Sequence, residues 1–148
     1  MGWEQPYVLV VDDQHDTADS MATLLCLWGY DGEAHYSGAA ALVAASIRQP
    51  MVVLLDLEMP EMNGFEFVAH LRELRGCEQT AITVVSGHTS ASCLARARNL
   101  GIGYLFKPVD LSQLQILLNR LIINHELSND RHEPYLRMNS RAAELAVC

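Results

Sequence analysis

The sequence has no apolar run approaching the roughly 18 residues that a membrane-spanning helix requires. No signal peptide is expected from the opening MGWEQPYVLV, which holds no basic region followed by an apolar core. Gly2 is not followed by the Ser or Thr of a myristoylation signal. Positive charge is scarce as well. Ten Lys and Arg stand against 18 Asp and Glu, for a formal net charge of −8. That argues against nucleic-acid binding, which ordinarily needs a basic patch. Cysteine pairing is absent too. Cys26, Cys77, Cys93 and Cys148 form no C-x-x-C pair and no zinc-finger spacing. Cys26 is expected in the core and the others as reduced thiols, which fits a cytoplasmic protein. No internal repeat and no linker break the first 125 residues.

What remains is enough apolar content, half of 148 residues, for one globular domain with a real core. The organising stretch is Met51–Gly64, MVVLLDLEMPEMNG. Five apolar residues run straight into Asp56. A continuous Val/Leu run between Pro50 and Pro60 reads as a strand buried on both faces, as in a parallel sheet covered by helices. Asp56 then closes the carboxyl end of that strand, the edge where open α/β sheets bind ligands. A carboxylate there needs something to offset its charge.

The rest of the chain alternates strand and helix. Tyr7–Val11 is a first strand, ending in Asp12-Asp13. A helix capped by Asp16 or Thr17 follows, with Met21, Leu24, Leu25 and Trp28 at i, i+3, i+4 and i+7, and Gly29 stops it. Asp31–Tyr36 is a weak second strand. Ser37-Gly38 opens a helix over Ala39–Ile47, and Pro50 terminates that region. After the third strand come a helix over Phe65–Leu74, a strand over Ala81–Val85 ending in Ser86, and a helix over Ser90–Leu100 ended by Gly101. Gly103–Phe106 is the fifth strand, leading into Lys107-Pro108. Leu111–His125 is the last helix, with Leu114, Leu117, Leu118, Leu121 and Ile122 on one face. Five strands alternating with five helices imply a doubly wound parallel sheet with helices on both faces. From Glu126 the chain turns polar, so residues 126–148 are expected as a flexible tail, with a short helix over Ser140–Val147 as the alternative.

The strand ends carry the chemistry. Asp12 and Asp13, Asp56, Ser86 and Lys107 come from four separate strands to one edge. Two carboxylates about 5 Å apart repel by roughly 3 kcal/mol at an effective dielectric of 20. Three carboxylates need a cation. Lys107 supplies one charge, and a divalent ion would supply the rest. The donors are hard oxygens with no His or Cys among them, which favours Mg²⁺, or Mn²⁺, over zinc. The chemistry that fits is phosphoryl transfer to a carboxylate. The metal and Lys107 would steady the charge on the transferring group.

VLVVDD at the first strand, LLDLEMPEMNG around Asp56, VVSGH at the fourth strand and GYLFKP at the fifth together resemble the receiver domain of two-component response regulators. The simplest member of that family is the chemotaxis response regulator. The resemblance covers about residues 5–125. It implies a flavodoxin-like strand order of 2-1-3-4-5 and a phosphoprotein that is not an enzyme beyond its self-catalysed transfer and autodephosphorylation. It implies Asp56 as phosphoacceptor, and Asp12, Asp13, Asp56 and the backbone carbonyl of Glu58 around Mg²⁺. It further implies Lys107 as the partner of the phosphoryl group, Ser86 and Tyr104 as switch residues, and a cis bond before Pro108. Glu58 and His88 stand where two variable side chains flank the path of attacking water, and are candidates for a gate.

The implied partners are a histidine kinase or histidine phosphotransfer protein upstream and a protein downstream. No output domain is expected in the 23 residues after His125. A phosphate shuttle or sink in a relay is the alternative role. A phosphatase of the haloacid-dehalogenase type is the competing class, but it carries its nucleophile in a D-x-D motif on the first strand.

Overall fold

The computed structural model describes residues 5–87 and 90–132, with side chains described as far as residue 128. Its elements alternate from start to finish. They are β1 (Tyr7–Val11), α1 (His15–Leu27), β2 (Asp31–His35), α2 (Gly38–Ile47), β3 (Val52–Leu55), α3 (Gly64–Glu73), β4 (Ala81–Ser86), α4 (Ala91–Asn99), β5 (Gly103–Phe106) and α5 (Leu111–His132). All five strands form one parallel sheet in the order β2-β1-β3-β4-β5. The expected doubly wound fold is thus present. Among the described residues, no helix is long and apolar enough to cross a membrane.

Burial explains which strands lie inside. Every residue of β1 and β3 is buried, whereas β2 and β5 are largely half-exposed edges. Continuous apolar runs therefore occupy the centre, and DGEAH, with its charges, occupies a rim. Alternate residues of each strand feed two cores. Leu9, Val11, Val53, Leu55 and Val84 pack with α2, α3 and α4, chiefly through Ala41, Phe67, Leu71 and Ala97. Val8, Val10, Val52, Leu54 and Val85 pack with α1 and α5, through Leu25, Leu114, Leu118 and Ile122.

Several local expectations change. Helix α1 begins at His15, with Gln14 as its N-cap and no side-chain capping bond, so neither Asp16 nor Thr17 caps it. Its buried stripe is Ala18, Ala22 and Leu25, while Met21 and Trp28 pack at the margin and Leu24 is half-exposed. The reason is close approach. A Cβ on Gly32 of β2 would stand 2.8 Å from the Ala22 carbonyl oxygen. Only small residues on the inner face let the helix sit that near. Gly29 ends α1 as expected, with φ at +94°.

Cys26 is exposed and not in the core as expected, while Cys77, a free thiol as expected, is fully buried in the α3 core. Cys26 is one position past Leu25, which turns it off the buried stripe. Helix α5 runs to His132, seven residues beyond the expected end at His125. A polar stretch need not end a helix, because it can continue with its side chains in water. The first breaker in the sequence is Pro134. The expected helix over Ser140–Val147 lies outside the described residues.

The corrected stripe predicts a contrast. Leu25→Ala should cost about 2–4 kcal/mol through cavity formation, and Leu24→Ala under about 1 kcal/mol. Urea denaturation of both variants measures this, and equal costs would restore the original stripe.

Candidate functional site

The site is built where strand pairing stops. Beyond Val11, the Asp12 N–H donates to the His35 carbonyl at 3.1 Å, and beyond Leu55, the Asp56 N–H donates to the Val11 carbonyl at 2.9 Å. Beyond β5, the Lys107 N–H donates to the carbonyl of Ser86, the last residue of β4, at 2.9 Å. The ladders thus carry Asp12, Asp56 and Lys107 to one edge before the chain is released into loops. The peptide bond between Lys107 and Pro108 is cis, as the resemblance implies.

Two carboxylates are then held in the same way. Asp12 Oδ1 accepts from the Gln14 backbone N–H at 3.0 Å, and Asp56 Oδ1 accepts from the Glu58 backbone N–H at 3.1 Å. Each is an Asx-turn, in which a short side chain reaches its own backbone two residues on. Each leaves its second oxygen facing the same ammonium. Lys107 Nζ lies 3.3 Å from Asp12 Oδ2 and 3.9 Å from Asp56 Oδ2. Sequence reasoning missed Gln14 as a supporting residue. The signal was available, since an Asp that closes a strand commonly forms such a turn.

Asp13 completes the cluster. One oxygen each from Asp12, Asp13 and Asp56 lie within 4.8 Å of one another, so the three could hold a metal ion. The donors are carboxylate oxygens throughout, which matches a hard divalent cation. Asp12 is buried, whereas Asp13 and Asp56 are partly accessible. Burial pushes the Asp56 carboxyl up to about 6, with the Asp12 carboxylate adding to the rise. The Glu58 N–H and the Lys107 charge oppose that rise without cancelling it. A cavity of about 240 Å³ adjoins the cluster, lined by Asp12, Asp56 and Lys107 and walled mainly by apolar groups such as Met21, Leu54 and Val85.

Of the other expected site residues, Ser86 is buried at the end of β4 and so reaches the same edge. Tyr104 lies on β5, half-buried against the α4-side core, with its ring 5.2 Å from that of Phe106. Glu58 is exposed in the loop after Asp56. His88, the second gate candidate, lies outside the described residues.

Residues 8–119 match the family model described as response regulator receiver domain. The chain belongs to that family. Receiver domains are phosphoacceptor modules of two-component signalling; they bind Mg²⁺ in an acidic pocket and interact with histidine kinases and downstream effectors. Among curated relatives, it is similar to the transcriptional regulatory protein ZraR of Salmonella typhimurium, 33% identical over 119 residues, covering 78% of this chain and 26% of that protein. It is also similar to the transcriptional regulatory protein KdpE of Mycobacterium tuberculosis, 29% identical over 140 residues, covering 94% of this chain and 61% of that one. The chain therefore spans between about a quarter and three-fifths of the length of these relatives. Among solved structures, the chemotaxis protein CheY4 of Vibrio cholerae aligns with a TM-score of 0.74 at 30% identity, over 79% of this receiver and 98% of that chain. A receiver domain protein from Methanospirillum hungatei aligns with a TM-score of 0.78 at 24% identity, over 84% of this chain and 99% of that one, and shows the shared fold.

The raised Asp56 carboxyl has a consequence for stability. A carboxyl with a folded pKa near 6 favours the fold in its protonated form, and this contribution is lost as pH rises through about 6. Without divalent ions, Asp56→Asn should therefore be more stable than wild type at pH 8, by about 1–2 kcal/mol after allowance for solvent screening. The gap should close on acidification to pH 4. Thermal melts in a chelator at the two pH values test this, and an equal gap at both would contradict it.

Proposed function

We propose that this chain accepts a phosphoryl group on Asp56 from the phosphohistidine of a histidine kinase or phosphotransfer protein, in a Mg²⁺-dependent reaction. A carboxylate oxygen of Asp56 attacks phosphorus, the phosphorus–nitrogen bond to the donor imidazole breaks, and an acyl phosphate forms. The observation that carries this reading is the shared orientation of Asp12 and Asp56. Both give one oxygen to their own backbone and turn the other toward Lys107.

The residues divide the work. The Glu58 N–H orients the Asp56 carboxylate. Asp12, Asp13, Asp56 and the Glu58 carbonyl would hold the ion. That ion, when bound, supplies positive charge against the phosphoryl oxygens. Lys107 supplies the protein's own positive charge to the same group, and Asp12 keeps its ammonium in place. Ser86 and Tyr104 carry the response outward. The phosphoryl group adds about −1.5 to −2 charge and three acceptor oxygens, which the Ser86 hydroxyl can reach for. Tyr104 then moves into the space that Ser86 leaves, and the surface of α4, β5 and α5 changes for a protein partner.

Acetyl phosphate with Mg²⁺ should add the mass of one phosphoryl group to wild type and none to Asp56→Asn. Lys107→Ala should slow the reaction by at least tenfold. Asp13→Ala should weaken Mg²⁺ binding measured by calorimetry. Phosphorylation of Asp56→Asn at the wild-type rate, or unchanged Mg²⁺ affinity in Asp13→Ala, would overturn the assignment.

A further inference from the structure

Two helices leave large apolar side chains in water. On α2, Val43 and Ile47 stand 61% and 82% exposed, one turn apart. Helix α5 carries the longer stripe. Its buried side is Leu114, Leu118 and Ile122, which pack on the sheet. Ile116, Ile123 and Leu127 stand 60%, 54% and 52% exposed. At about 100° per residue, these three lie within roughly 40° of one another and about 160° from the centre of the buried side. A surface helix ordinarily sets polar residues opposite its apolar face, whereas α5 is apolar on both. Single exposed leucines need no partner, but these fall on one line at i, i+7 and i+11. In heptads, Gln113, Arg120 and Leu127 take position a, and Ile116 and Ile123 take position d. Among the described residues, neither Arg120 on this seam nor Glu126 beside it has an ion-pair partner.

We propose that this outer seam of α5 docks on the same seam of a second copy of the chain, with the two helices antiparallel about a twofold axis. The seam complements itself in that direction. Ile116 meets Leu127 of the second copy and Leu127 meets its Ile116, as a twofold interface requires. Arg120 selects the direction. Parallel helices in register would stack position a on position a and set one Arg120 against the other. Antiparallel helices stack a on d, so the apolar stem of Arg120 lies on Ile123 of the second copy. Its guanidinium then reaches Glu126 of that copy, one turn further along, and the twofold axis supplies this pair twice. The pairs are solvent-exposed, so they set orientation more than strength. The 22 residues of α5 give a face about 33 Å long and roughly 10 Å wide, below the roughly 800 Å² per partner of a standard interface. The dimer is therefore a weak one that forms with concentration. A membrane surface fits less well, because a helix lying on lipid carries several Lys and Arg beside its apolar face. Between Leu111 and Ser128, Arg120 is the one Lys or Arg, and the chain's net charge is −8. The inference rests on α5 alone and stands apart from the chemistry of Asp56.

Sedimentation velocity of the full, unphosphorylated chain from about 5 to 500 μM tests the proposal. Wild type should pass from monomer to dimer across that range. Ile123→Glu should raise the dissociation constant at least tenfold while its circular dichroism stays that of wild type. Leu127→Glu should do the same, and serves in its place should Ile123→Glu unfold. Arg120→Glu should raise the constant at least threefold, and the reversal Arg120→Glu/Glu126→Arg should bring it back within twofold of wild type. A monomer at every concentration would overturn the proposal and leave the seam to a different partner. So would a dimer that folded Ile123→Glu and Leu127→Glu leave unchanged, or a folded charge reversal that fails to restore what Arg120→Glu lost.

Discussion

Three carboxylates share one edge of the sheet with a single ammonium, and the rest of the site is arranged around that imbalance. Asp12, Asp13 and Asp56 offer oxygens within 4.8 Å of one another, and Lys107 stands against two of them. The protein holds such a cluster because it is rigid underneath. Asp12 and Asp56 are the first residues past fully buried strands, and each is tied by its own backbone N–H to the neighbouring strand. The hydrophobic cores on the two faces fix the strands, and the strands fix the charges. Part of the repulsion is relieved by the upward shift of Asp56. The remainder is the driving force for taking up a cation.

Much of this was legible in the sequence because strands of this type announce themselves. YVLVV, VVLL and AITVVS are short, continuous and β-branched, and each runs into a polar residue. That is how Asp12, Asp56 and Ser86 were found, and the Lys after GYLF followed from the same rule. The helices were less legible. The α1 stripe is read as Met21, Leu24, Leu25 and Trp28 when large apolar residues are weighed most. The observed stripe of Ala18, Ala22 and Leu25 depends on the approach of Gly32, which belongs to a different element. Cys26 was expected in the core and is exposed, because burial of a small residue is decided by one step of helical phase, which composition does not see. The end of α5 was hidden because apolar periodicity marks the buried face, not the hydrogen-bonded extent of a helix.

The two edges of the sheet have different characters. The carboxyl edge is acidic and bears the chemistry of the site. The amino edge carries hydrogen bonds that close it: the Met51 N–H to the Tyr7 carbonyl at 2.8 Å, the Ala81 N–H to the Met51 carbonyl at 3.2 Å and the Thr80 hydroxyl to the Pro50 carbonyl at 3.1 Å. Arg48 stacks over the Tyr7 ring at 4.1 Å and pairs with Asp31, which joins α2 to the β1–β2 edge there. This firm lower rim is what makes the bare face of α2 conspicuous.

The matched register of the strands also acts as a ruler for length. Val8 pairs with Val52 and Val11 with Leu55, while Val52 pairs with Ala81 and Leu55 with Val84. Because side chains alternate between faces, removing one residue from within β3 would turn its apolar set over and swing Asp56 away from Lys107. Removing one from the turn between α3 and β4 would shorten a connection and leave the pairing intact. The distance in sequence from Val8 to Asp12 is therefore as rigid a requirement as the aspartate itself, as is that from Val52 to Asp56. Insertions and deletions in this protein should be confined to the stretches between elements.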